Sequence, residues 1–224
     1  LFEGLTNDFS SLVFTNHSGG IREVKLKEFS RLSRDYSMNH LGDSMLSLSF
    51  EDEDGKKLPG LFSSPREYQR IQKDAFNVHY KWEVPNVVKI DRYYSRENNN
   101  TYSFKHKTVI TNLGDNLLPF DRVKLNLGSA FRMPRLYNPF DNAATYLNVG
   151  YYNSGLKLTE GCSCAECSGR IDGEKEEFFQ LNEMGPTGKM ETRRLSQAKW
   201  ACVNNQFFIN IVRSTDNLSN VWVD

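Results

Sequence analysis

The sequence predicts an all-β protein whose mainly antiparallel strands form two sheets packed face to face, with few short helices. Three observations predict it. Apolar residues recur with period two along several segments, as they must when alternate side chains of a strand face a core. Clusters of Gly, Asn and Asp separate those segments at hairpin-like intervals. No stretch sustains a 3.6-residue apolar period for three turns.

Taken in order, the first alternating segment is Leu46, Leu48 and Phe50 against Ser47 and Ser49, ended by the acidic turn Glu51-Asp52-Glu53-Asp54-Gly55. Ser64-Pro65-Arg66-Glu67-Tyr68 reads as a short helical turn, with proline at its first position. In the next strand Phe76, Val78, Tyr80, Trp82 and Val84 share one face, and Asn77, His79, Lys81 and Glu83 the other. Val88, Ile90 and Tyr94 lead to an Asn98-Asn99-Asn100 turn, and Tyr102, Phe104 and Ile110 mark the return, which predicts a long hairpin. After a turn over 112–116, Val123, Leu125 and Leu127 alternate again. Residues 132–188 read as long loops and short strands. Trp200 to Val212 is the most apolar run and reads as a buried strand interrupted by Asn204-Asn205.

The chain has 224 residues, which suits one large β domain, and residues 1–224 are read as a single sandwich. Twenty-eight basic residues balance twenty-eight acidic ones, so no net field recruits nucleic acid. No run approaches the ~18 apolar residues of a membrane-spanning helix. The first residue is Leu1, and we read the chain as a fragment or a processed protein.

Two segments resemble a known family. Val13-Phe14-Thr15-Asn16-His17-Ser18-Gly19-Gly20-Ile21-Arg22-Glu23-Val24-Lys25-Leu26 pairs an early strand and an Asn with a Gly-Gly turn, followed by a strand ending in V-x-L. Two glycines tolerate positive φ at such a turn, and Val24 and Leu26 alternate with Lys25 and Lys27. Ala198-Lys199-Trp200-Ala201-Cys202-Val203-Asn204-Asn205-Gln206-Phe207-Phe208 carries a K-W-x-x-V-x-x-Q-F-F pattern. In it Trp200, Val203, Phe207 and Phe208 offer a large apolar anchor. Thr111 to Gly114 adds a T-N-x-G turn between them. In this order, the segments resemble the large extracytoplasmic domain of YidC-type membrane protein insertases.

That resemblance implies a β-supersandwich of the galactose-mutarotase type on the periplasmic side of the bacterial inner membrane. It also implies flanking transmembrane helices and C-terminal strands outside this chain. The implied role is that of a non-catalytic module, monomeric in isolation and without cofactor. It belongs to a machine that serves translocon components and nascent membrane proteins. The groove that performs insertion lies in the membrane helices, so no mechanistic residue carries over.

Other constellations stand beside these segments. Cys162, Cys164 and Cys167 form C-x-C-x-x-C, which fits a disulfide (Cys164–Cys167 or Cys162–Cys167), free thiols, or a thiophilic metal needing a fourth ligand. Cys202 reads as a small apolar core residue. A sugar-binding or sugar-epimerising protein is the alternative function, and it needs histidines and a carboxylate converging on one site. The histidines are His17, His40, His79 and His106, and Glu83 is near His79. His79 is expected on the wet face of its strand, and His106 as a satisfied, partly buried residue. Tyr93, Tyr94, Tyr151 and Tyr152 read as core plus rim, or as the lining of a cleft. Arg193, Arg194, Lys189 and Lys199 read as a solvated strand edge.

Overall fold

The computed structural model describes residues 1–27, 36–38, 44–63, 66–96, 102–128, 148–153, 175–180, 191–204 and 209–223. The protein is all-β, with antiparallel pairing throughout the described ladders. It forms two compact units, Leu1–Ser129 and Ala130–Asp224.

The first unit holds β1 (Phe2–Thr6), β2 (Ser10–Thr15), β3 (Gly20–Leu26), β4 (Tyr36–Met38), β5 (Leu48–Glu51), β6 (Gln69–Lys73), β7 (Asn77–Val84), β8 (Val88–Ser95), β9 (Lys105–Asn112) and β10 (Arg122–Leu125). They pair as a β1-β2-β3-β4 sheet, a β6-β7-β8-β9 sheet, and a β5–β10 pair. The alternation expected for β7 is present: Val78 and Tyr80 are buried, Trp82 and Val84 half-buried, and Asn77 and Glu83 exposed. Phe76 departs from it. It precedes the strand, in a turn where the Asp74 carboxylate accepts the amides of Phe76 and Asn77, and its ring is exposed. The core joins Leu5, Leu12, Phe14 and Ile21 to Leu48, Phe50, Val78, Tyr80, Val88, Ile90 and Tyr94.

The Gly-Gly hairpin forms between β2 and β3, but its glycines divide the work differently from the expectation. Positive φ falls on Ser18 (68°) and Gly19 (56°). Gly20 is required by close approach, because a Cβ there would lie 2.6 Å from the Met45 carbonyl oxygen. Ile21 and Met45 exchange backbone hydrogen bonds beside it, of 3.0 and 2.8 Å. Leu26 is buried and Val24 half-buried, as alternation predicts, while Asn16 is exposed and its carbonyl accepts the amides of Gly19 and Tyr68.

The helical turn expected at Ser64–Tyr68 is not found in its described part. Glu67 forms a β-bridge with His17, and the segment's Arg66 turns inward. The 3₁₀ turn lies just upstream, at Gly60–Phe62, and buries Phe62. The predicted β8–β9 hairpin is present, in register from Val88↔Asn112 to Ser95↔Lys105. Its Asn98-Asn99-Asn100 turn lies outside the described residues.

The second unit holds β11 (Asn148–Asn153), β12 (Lys175–Gln180), β13 (Glu191–Asn204) and β14 (Ile209–Val223), ordered β12-β11-β13-β14. The expectation of one buried strand from Trp200 to Val212 is corrected here. Asn204, the last residue of β13, pairs with Ile209, the first of β14, so the run holds two antiparallel strands and not one. Ala201 and Cys202 on β13 are buried, whereas Ile209 and Ile211 on β14 are half exposed.

Candidate functional site

The side chains with the most chemistry stand on the β6–β9 sheet, and strand parity sorts them. Cross-strand partners point to the same face. Tyr80 is opposite Arg92, Arg92 opposite Thr108, and Tyr94 opposite His106, so all five share the inner face. His79 is opposite Tyr93, and Lys81 opposite Asp91, on the outer face.

The inner face is a polar seam inside an apolar core. Arg92 is fully buried and donates to the carbonyls of Ser18 and Leu46, and through Nη2 to His106 Nε2 at 3.3 Å. Two residues on, the Tyr94 hydroxyl donates to the Gly19 carbonyl at 2.7 Å. Two further, Arg96 donates to Ser10 Oγ at 2.8 Å. Positions 92, 94 and 96 thus stitch β8 to the β2–β3 hairpin. Arg66 is a third buried guanidinium. It donates to the carbonyls of Leu48, Phe62 and Ser63, and its Cζ lies 4.5 Å from the centre of the Phe50 ring. Burial pulls the Arg66 and Arg96 guanidinium pKa values down, because a charge loses hydration there. His106 stacks on Tyr94 at 4.7 Å. Burial, then the charge of Arg92, lowers its pKa to about 3. Burial pushes the Tyr94 phenol up to about 12.

The outer face is built from ion pairs. His79 Nε2 lies 2.8 Å from Asp91 Oδ1, and Lys89 Nζ 3.2 Å from Asp91 Oδ2. The Tyr93 ring stacks on His79 at 4.3 Å and is exposed. Glu83, the carboxylate expected near His79, pairs with Lys81 instead. A shallow open cleft of about 300 Å³ lies beside this face, lined by Glu67, Gln69, Lys81, Trp82, Glu83 and Pro85.

His79 and His106 therefore lie on opposite faces of one sheet and do not converge. His17 is elsewhere, 3.5 Å from Glu67 on the surface. Tyr93 and Tyr94 divide into rim and core, as do half-buried Tyr152 and buried Tyr151. Trp200 is half-buried and stacks on Tyr152 at 6.0 Å, with Lys199 Nζ 5.6 Å from the same ring. Val203 is half-buried, and Cys202 is buried as expected. Cys162, Cys164, Cys167, His40, Lys189, Gln206, Phe207, Phe208 and the side chains of Arg193 and Arg194 lie outside the described residues.

Sequence reading missed Arg66, Arg92 and Arg96 as interior groups. A signal existed for two of them: they continue the inward series Val88, Ile90, Arg92, Tyr94, Arg96 without a break. Compared with protein-family models, curated proteins and solved structures, the chain matches none.

Proposed function

We propose that this chain is a non-catalytic, periplasm-facing β-sandwich module of a YidC-type insertase at the bacterial inner membrane. In this reading it serves as a docking or support element for translocon components and nascent membrane proteins. The observation that carries the reading is the placement of its two family-like segments. Val13–Leu26 builds the hairpin to which β8 is stitched, and the described part of Ala198–Phe208, up to Asn204, lies in β13, an interior strand of the second unit's sheet. The described parts of both segments lie in sheets, which supports a structural role for them in this reading. The same proposal includes a supersandwich of the galactose-mutarotase type.

The rival sugar-epimerising reading needs two histidines and a carboxylate in one cleft. His79 and His106 cannot supply that pair from opposite faces.

The test is the gene read beyond Asp224, together with the location of its product. The reading expects several apolar spans of about 20 residues in frame. It also expects the protein in the inner-membrane fraction and uninserted membrane proteins accumulating on its depletion. A product with no such span, recovered wholly away from the membrane, overturns it.

A further inference from the structure

We propose that His106, Arg92 and the carbonyls of Ser18 and Leu46 form an acid-released latch, which holds the β2–β3 turn and the segment before β5 against the β6–β9 sheet. The two carbonyls belong to residues with φ of 68° and 60°. The left-handed region is unfavourable for a bulky side chain such as leucine, so Leu46 keeps it only while its surroundings impose it. Arg92 supplies part of that constraint, since one buried guanidinium holds both carbonyls, and the Leu46 amide adds its bond to the Asn126 carbonyl. Tyr94 holds the next one, that of Gly19 at φ 56°.

The guanidinium is aligned in turn by His106. Arginine offers only donors, so toward Arg92 the Nε2 of a neutral His106 accepts, and the Thr108 hydroxyl, 3.0 Å from the same nitrogen, can either donate or accept. Adding a proton at Nε2 turns that acceptor into a donor and sets a second cation against a buried first one. Among the described residues nothing nearby neutralises it. From β8 the ring faces Arg92 and Tyr94, and from β9 Thr108 Oγ1 at 3.0 Å. Beyond Arg92 lie Tyr68, 5.8 Å from its Cζ, and the like charge of Arg66. Among the described residues no carboxylate bonds or pairs with His106 or Arg92.

The sign follows from linkage. The closed state keeps His106 neutral down to about pH 3, while an opened segment lets it titrate near its ordinary 6.5. The latch is therefore fully engaged above pH 6.5 and weakens about tenfold per pH unit below it, until pH falls to about 3.

Hydrogen exchange, corrected for intrinsic rates, tests this at the Ile21, Met45 and Leu46 amides. Between pH 7.5 and 4.5 their protection should fall about 100-fold. The amides of the β7–β8 ladder should change less. His106→Gln keeps an acceptor but cannot titrate, and should abolish the difference. His79→Gln, on the other face, should leave it intact. An equal fall across all ladders, or an unchanged response in H106Q, overturns the latch. Should H106Q not fold, the His106 ring resonances decide on the wild-type protein. Titration near 6.5 with protection retained overturns the proposal, and ring protonation coincident with loss of protection at Ile21 and Met45 supports it.

Discussion

On the outer face of the β6–β9 sheet, His79 has a carboxylate at 2.8 Å and an exposed tyrosine on its ring. On the inner face, one residue pair away, His106 has a guanidinium at 3.3 Å and a buried tyrosine. The strands are the same, and the difference lies in where the counter-charge sits. Outside, the buried Asp91 carboxylate is paired with His79 and Lys89, whose side chains reach water. Inside, the Nη groups of Arg92 donate to backbone carbonyls, which carry partial charge but no proton to exchange, while its buried Nε has no partner among the described residues. The outer face sets its counter-charges beside a buried carboxylate, whereas the inner face binds a guanidinium into the packing with no paired carboxylate among the described residues.

Removing the inner anchor gives the largest expected effect. Arg92→Met leaves the Ser18 and Leu46 carbonyls buried without a donor, and stability should fall by about 3 kcal/mol in urea unfolding. Part of the loss is offset because the buried charge goes too. A gain in stability would show that the guanidinium's desolvation outweighs its bonds and would erase the contrast between the faces. Asp91→Asn, outside, keeps a hydrogen-bond acceptor for His79 but loses the charge that answers Lys89. Asp91 is buried while its partners reach water, so a loss of about 1–2 kcal/mol is expected, smaller in high salt. The smallest effect belongs to Lys81→Met. It breaks a pair whose members are each about a third exposed, and the melting temperature should stay within experimental error.

Much of this arrangement was legible in the sequence. Period-two alternation locates β7 and β5 because each has one wet face, and the T-N-x-G segment marks the end of β9. Alternation fails where the inward residue is charged. Arg92 and Arg96 look like surface residues until the series they continue is followed inward. Arg66 gives no periodic signal, since its segment is an isolated bridge and its partners are carbonyls. Gly20 was legible as a turn glycine but not as a contact, because the Met45 carbonyl that excludes a Cβ comes from a distant part of the chain. The Trp200–Val212 run misled because hydropathy reports content and not direction. Two consecutive asparagines inside an apolar run were the cue to a reversal.

The stitches from β8 to the first hairpin also set an order in time. Ser18 and Arg92 are separated by 74 residues, Gly19 and Tyr94 by 75, and Ser10 and Arg96 by 86. At roughly 5–20 residues per second, a ribosome delivers Arg92 about 4–15 s after Ser18. Through that interval the β2–β3 turn has no donor for its inward carbonyls, and its apolar strands lack the sheet that covers them. The β2–β3 hairpin is thus made well before β8 and cannot be finished until β8 arrives, so the chain made in that interval carries apolar strands still waiting for their cover.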